Sequence, residues 1–270
     1  MNLISCLLLL NPIISRPVPA YFATGDWQDL TVITDIEYYR APDETGKMIS
    51  LLLDVYQQPA GGQFKRPVIM LVHGGGFIAG DKGYTPSQRN FYPDIAAAFA
   101  GLGYVVFSIN YRLNMIDYLG AALEDVHHAL DWIKVHHETY RIDTTKVLIC
   151  GDSAGGAIVV NAGFRNPELH SFAGCMDMWG GLPPYGDSNN TQPVNTFPIT
   201  VETPPTCIIH GTEDRIVQYA VSRNLRDSLA RAGIYNEFHS LEGAGHYPEE
   251  LENQILRILI EFADRICRQP

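Results

Sequence analysis

Short runs of β-branched and aromatic residues alternate along this chain with longer segments whose apolar positions recur at helical spacing. Val32 to Arg40 and Ile49 to Tyr56 read as two early strands, joined as an antiparallel hairpin through the turn residues Pro42 to Gly46. Val68 to Val72 is continuously apolar, as a strand buried on both faces would be. A helix over Phe91 to Ala100, a strand over Tyr104 to Ile109 and a long helix from about Ala121 to His137 follow. The pattern then predicts a strand at Lys146 to Cys150, a helix from Ala154, and strands near Phe172 to Met178 and at Thr206 to His210. It closes with a helix at Tyr219 to Ala232, a strand at Asn236 to Leu241 and a last helix at Glu249 to Ile266. Such alternation predicts a doubly wound, mostly parallel α/β sheet with helices on both faces. Ligand sites in such sheets lie at the carboxyl ends of the strands.

Two glycine-rich strings fall at such strand ends. Gly151-Asp152-Ser153-Ala154-Gly155-Gly156 stands between the strand ending at Cys150 and the helix from Ala154. A serine held in a tight turn there needs small neighbours, because a Cβ at Gly151 or Gly155 would strike the adjacent strand or helix. Its Oγ would project from the top of the sheet. His73-Gly74-Gly75-Gly76-Phe77 follows the strand at Val68 to Val72, and three glycines allow backbone N–H groups to approach a substrate carbonyl. With both strings at matching strand ends, the chain resembles an α/β-hydrolase serine esterase of the hormone-sensitive-lipase-like group that carries H-G-G-G. The resemblance runs from about Ile49 to the C-terminal helix. It implies an oxyanion hole at Gly75, Gly76 and Ala154, and a triad of Ser153, then an acid, then a histidine.

The segment Thr212-Glu213-Asp214-Arg215-Ile216-Val217 follows a late strand and is similar to the group's H-G-x-x-D-x-x-V pattern, which selects Asp214 over Glu213 as the acid. His246, between Gly245 and Tyr247 after the last strand, is the candidate base, with Asp214 holding its tautomer. His73 reads as a brace for the oxyanion loop, and His210 as structural. His127, His128, His136 and His137 read as a helix face rather than a metal site, and no cofactor or metal is implied. Asn110-Tyr111-Arg112-Leu113 resembles the group's D-Y-R-L segment with Asn in place of Asp, and Asp152 is one candidate partner for Arg112.

The long-capped members of that group carry a helical N-terminal cap, for which this chain has little sequence. Gly180 to Pro205 is rich in Pro, Gly and Asn and reads as a modest covering loop over an open site. An open site suits short acyl groups, or esters borne on a bulky polymer such as the acetyl and feruloyl groups of polysaccharides. Phe77, Tyr84, Trp179, Tyr185 and Phe197 are candidates to line it, with ordinary packing as the alternative for each. The expected activity is therefore that of a serine carboxylic-ester hydrolase. Amide hydrolysis, by a formamidase or exopeptidase, and a non-catalytic binding module are the rival readings.

Composition narrows the partners. The 270 residues carry 19 Lys+Arg against 30 Asp+Glu, a formal charge of −11 with no basic run, which argues against nucleic acid or an anionic membrane surface. Residues 1–14 carry no charged side chain, and Leu7 to Leu10 sit in an apolar stretch ending at Asn11-Pro12 that is too short to span a bilayer but has the length of a signal-peptide h-region, with Val18-Pro19-Ala20 as a candidate cleavage region. The expected organisation is a leader over residues 1–20, a single domain over 21–270, and export from the cytoplasm; an ordinary N-terminal tail is the alternative. Five cysteines are too few to build a disulfide scaffold; Cys150, Cys175 and Cys207 fall in predicted interior strands as buried thiols, with a Cys175–Cys207 bridge as the alternative.

Overall fold

A computed structural model describes residues 30–59, 64–83, 92–167, 171–186 and 193–268. The expected leader and Tyr84 lie outside these residues.

The eight strands are β1 (Thr31–Pro42), β2 (Met48–Gln57), β3 (Arg66–Val72), β4 (Val105–Ile109), β5 (Ile142–Asp152), β6 (Gly174–Met178), β7 (Thr206–Gly211) and β8 (Asn236–Leu241). They form one sheet in the order β1-β2-β4-β3-β5-β6-β7-β8. β1 pairs antiparallel with β2, and β2 antiparallel with β4. From β4 through β8 every pairing is parallel. The helices are α1 (Tyr92–Gly101), α2 (Tyr118–Val135), the single turn α3 (His137–Tyr140), α4 (Ala154–Phe164), α5 (Tyr219–Arg231) and α6 (Glu252–Arg268).

Side chains alternate across a strand, so β3 and β5 feed two cores. Val68, Met70, Val72, Val147 and Ile149 pack on one face with α2, α4 and α5. Ile69, Leu71, Leu148 and Cys150 pack on the other with α1 and α6. In α6 the buried positions Ile255, Leu256, Leu259, Phe262, Ala263 and Cys267 make one apolar stripe along an otherwise polar helix. α4 is buried at all 11 positions, which explains why its residues are small or aliphatic apart from Asn161 and the terminal Phe164.

Two elements run beyond their apolar pattern. β5 begins at Ile142 rather than Lys146, because Ile142 pairs with Arg66 although the intervening Asp143-Thr144-Thr145 is polar. α2 begins at Tyr118, where the Asp117 carboxylate caps the first turn by accepting from Gly120 N–H at 3.0 Å. No helix or strand occurs among the described residues of the segment 180–205. It is pinned to α4 by buried Asn161, whose amide donates to Val194 O at 2.8 Å and accepts from Thr196 N–H at 2.7 Å. Cys150, Cys175, Cys207 and Cys267 are free and buried, so no bridge joins β6 to β7.

Candidate active site

Ser153 sits where β5 turns sharply into α4, with φ 51° and ψ −117°, a strained conformation for a residue bearing a Cβ. The turn is possible only because its neighbours are small: a Cβ on Gly155 would lie 2.1 Å from Val72 O, and one on Gly151 2.6 Å from Gly155 C. Ser153 N–H donates to Met178 O at 2.9 Å, tying the turn to the end of β6.

Three loops bring the expected partners together. His246, on the loop after β8, places Nε2 3.0 Å from Ser153 Oγ. Its Nδ1 lies 2.7 Å from Asp214 Oδ2, on the loop after β7. Asp214 is a carboxylate surrounded by donors: Ile216 N–H and Val217 N–H reach Oδ1 at 2.8 and 2.9 Å, and His210 Nε2 reaches Oδ2 at 3.1 Å. Burial alone would raise its pKa, but the hydrogen bonds from His210 and His246 outweigh burial and hold the group well below the usual carboxylate range. An ionised Asp214 fixes the His246 proton on Nδ1, which leaves Nε2 free to accept from the serine hydroxyl.

His210 is the member that sequence pattern does not single out. Its Nε2 faces two acceptors, Asp214 Oδ2 and Val217 O at 3.1 Å each, so that nitrogen carries the proton, and Nδ1 accepts from Ser222 at 2.7 Å. Fully buried at the end of β7, it orients the acid rather than merely filling space. His210 and Asp214 are four positions apart, and that spacing across a strand end is the one local signal that could have pointed to the contact.

The three expected oxyanion donors share one device. In a trans peptide the C=O and the following N–H point opposite ways. Gly74 O accepts from His73 Nδ1–H at 2.7 Å, which turns Gly75 N–H away from that ring. Gly75 O accepts from Ile78 and Ala79 N–H at 3.1 and 3.0 Å, which turns Gly76 N–H outward. Ser153 O accepts from Ala157 and Gly181 N–H at 3.1 and 3.3 Å, which does the same for Ala154 N–H at the start of α4. None of the three N–H groups has an acceptor among the described residues. The loop also needs glycine at 75, where φ is +107° and a Cβ would lie 2.0 Å from Ala79 O.

The lining residues divide. Tyr185 is half-buried and donates to Gly181 O at 3.2 Å, with Cε2 3.7 Å from where a Cβ on Gly76 would stand. Phe77 and Trp179, by contrast, are buried, at 2% and 0% exposure, and do not face the opening. Phe77 packs against Tyr118, and Trp179 stands edge-on to His246 at 6.3 Å between centroids, so they brace the site rather than line it. Phe197 packs under the Arg165 guanidinium, with its ring centroid 5.8 Å from Cζ. An open cleft of about 570 Å³ lies beside the acid, lined by Gly186, Glu213, Asp214, Arg215 and Gln218.

Arg112 pairs with α2 instead of Asp152. Its Nε lies 3.0 Å from both Asp125 oxygens, and Nη2 lies 2.9 Å from Glu124 Oε2. Asp125 Oδ2 also accepts from Arg112 N–H at 2.8 Å, so one carboxylate holds both the backbone and the side chain of the arginine. Asp152 is held by Tyr92, whose hydroxyl donates to Oδ1 at 2.5 Å and accepts from Asp152 N–H at 3.0 Å. Asp177, level with Gly151 on the neighbouring strand, is fully buried; Oδ1 accepts from Gly180 N–H at 2.9 Å and Oδ2 has no partner among the described residues. Burial pushes its pKa up to about 7. No cluster of potential metal ligands occurs among the described residues, and no helix there is long and apolar enough to cross a membrane.

A serine at a strained strand-to-helix turn, a histidine and a buried carboxylate in hydrogen-bonded series, on this sheet order, define a serine hydrolase of the α/β-hydrolase class. A family model described as phospholipase/carboxylesterase matches residues 121–265, and one designated BD-FAE matches residues 53–179. The chain belongs to the phospholipase/carboxylesterase family. It is 33% identical over 107 residues to carboxylesterase 20 of Arabidopsis thaliana, covering 38% of this chain and 32% of that protein. The chain thus spans from about a quarter to less than half of the length of the curated relatives it matches. Among solved structures it is similar to a truncated carbohydrate esterase from gut microbiota, with TM-score 0.70, 21% identity, and 88% and 97% of the two chains covered. It is likewise similar to butyrate-bound esterase 2 of Thermogutta terrifontis, with TM-score 0.69, 22% identity, and 91% and 98% covered. At those identities the likeness is one of fold.

Proposed function

We propose that this protein hydrolyses carboxylic esters of short acyl groups through an acyl-enzyme on Ser153. The observation that carries the reading is the continuous series Ser153 Oγ, His246 Nε2, His246 Nδ1, Asp214 Oδ2, with steps of 3.0 and 2.7 Å across its two hydrogen bonds. In this mechanism His246 takes the hydroxyl proton as Oγ attacks the ester carbonyl, and the imidazolium that forms is offset by Asp214. Gly75, Gly76 and Ala154 N–H receive the negative charge on the tetrahedral oxygen. His246 then gives its proton to the leaving alkoxide. Water, deprotonated by the same histidine, attacks the acyl carbonyl, and Ser153 is released as the carboxylic acid departs.

Preference for short acyl chains rests on the walls beside the oxyanion loop. There Ile78 is exposed and Tyr185 only half-buried, and the covering segment 180–205 has no helix or strand among its described residues, so the site is open and suits a short acyl group better than a long chain that needs an enclosed apolar channel. The open polar cleft beside Asp214 gives a large alcohol part, such as a polysaccharide, a place to extend into solvent. The carbohydrate esterase and butyrate-bound neighbours are consistent with both features.

The test is hydrolysis of p-nitrophenyl acetate, butyrate and palmitate, with acetylated xylan, feruloylated arabinoxylan and small amides alongside, by the parent and by Ser153→Ala. Acetate or butyrate turnover that exceeds palmitate and vanishes in the variant supports the reading. Ester hydrolysis at the parent rate by Ser153→Ala overturns the nucleophile, and faster palmitate turnover overturns the short-acyl preference. Amide turnover above ester turnover would assign the site to amidase chemistry instead.

A further inference from the structure

We propose that Asn110, acting with Asp81 and Lys82, is a positioning residue that sets the oxyanion loop, and that the amide at 110 is required because Asp81 opposes it. This rests on the reading of Ser153 as nucleophile and of the 73–83 loop as its oxyanion hole.

Asn110 is held through both its backbone and its side-chain amide. Its backbone N–H donates to Leu52 O at 2.9 Å, and its backbone O accepts from Tyr38 at 2.7 Å. Its side-chain Oδ1 accepts from Lys82 N–H at 2.6 Å, and Nδ2 donates to Asp81 Oδ2 at 3.0 Å. These two neighbours settle the orientation of the amide, since Lys82 N–H demands an acceptor and the Asp81 carboxylate demands a donor. An aspartate, the residue in the D-Y-R-L pattern that this segment otherwise resembles, would bring two carboxylates to hydrogen-bonding distance. Burial tends to raise the pKa of Asp81, but the bonds from Asn110 and Gly83 and the charge of Lys82 overcome it and keep the group ionised.

The far end of the loop is anchored by the same cluster. Lys82 is 6% exposed, with Nζ 2.8 Å from Asp35 Oδ1 and 3.1 Å from Asp54 Oδ1, while Ser108 Oγ donates to Lys82 O at 2.6 Å. The loop is thereby tied to β1, β2 and β4 at once. From that anchor the chain returns through Gly80, where φ is +117° and the backbone packs so closely on His73 that a Cβ would lie 2.2 Å from Nδ1. His73 is the ring whose Nδ1–H bond to Gly74 O aims Gly75 N–H, and Ala79 is one of the two donors that aim Gly76 N–H. A shift at Asp81 and Lys82 therefore reaches both donors within a few residues, and sub-ångström misplacement of such groups costs rate rather than ground-state binding.

The experiment uses Asn110→Asp, Asp81→Asn and the double swap carrying both, assayed with p-nitrophenyl acetate. Asn110→Asp is expected to lower kcat about 10- to 100-fold with KM within about twofold of the parent. The swap restores one carboxylate and one amide with donor and acceptor exchanged, so its kcat is expected within about threefold of the parent. Parent-level kcat in Asn110→Asp overturns the proposal, as does a folded double swap no faster than Asn110→Asp. If Asn110→Asp fails to fold, the swap decides: recovery of kcat supports the proposal and a folded swap with low kcat overturns it. The underlying reading of Ser153 fails separately, through residual activity in Ser153→Ala.

Discussion

Two loops flank Ser153, and they treat polar groups in opposite ways. The acid loop over 211–217 gathers donors onto one carboxylate until Asp214 is saturated by two histidines and two backbone N–H groups. The glycine loop over 73–83, the proposed oxyanion hole, keeps its charges at the far end, around Lys82, and leaves the N–H groups of Gly75 and Gly76 without an acceptor among the described residues. A saturated carboxylate stays ionised and holds a proton in a fixed place. Unpaired, aimed donors are available to charge that develops only during reaction. The comparison teaches that one loop stores a charge and the other stores a vacancy for one.

On this account the largest loss follows from damaging the stored charge. Asp214→Asn should lower kcat by about 10⁴-fold, because an amide no longer fixes the His246 tautomer; a loss of under tenfold would show that the acid loop merely supports the fold. Next in size is Gly75→Ala, which places a Cβ 2.0 Å from Ala79 O and should lower kcat by about 10²-fold while Ser153 still reacts with a fluorophosphonate, though more slowly. His210→Ala removes one of the four donors on Asp214 and should cost about tenfold in kcat/KM, the scale of one hydrogen bond to a charged group.

The smallest effect concerns stability alone. Asp177 titrates at about 7 in the folded protein because of burial, against an ordinary value near 4 in the unfolded chain. Between those values the folded state binds the extra proton, so this group makes stability fall as pH rises from about 4 to about 7, with the loss complete above that. Asp177→Asn keeps an acceptor for Gly180 N–H and should raise Tm at pH 8 by about 3 °C or more, with the gain shrinking toward pH 4. A gain that grew with acidification would contradict the assignment.

Much of this is legible in the amino-acid sequence. Strand and helix order follow from apolar periodicity, and the serine turn and glycine loop follow from steric need at strand ends. Long-range polar pairing was not legible. Arg112 and Asp125 are 13 residues apart on different elements, and only the register of α2 brings them together. Aromatic type likewise does not say which way a ring turns: Phe77 and Trp179 lie on site loops yet point into the cores, whereas Tyr185 stays at the opening. His210 looked like strand filling because its partner is supplied by the fold of the next loop, and the extension of β5 was hidden by the polar Asp143-Thr144-Thr145.

The central claim is that Ser153 alone carries the acyl group. Incubation with a fluorophosphonate, followed by intact-mass and peptide mass spectrometry, tests it most directly. The account predicts one adduct per chain, on the peptide containing Ser153, and none in Ser153→Ala or His246→Ala at matched times. An adduct on another residue, or an unlabelled chain that still hydrolyses esters, would contradict it.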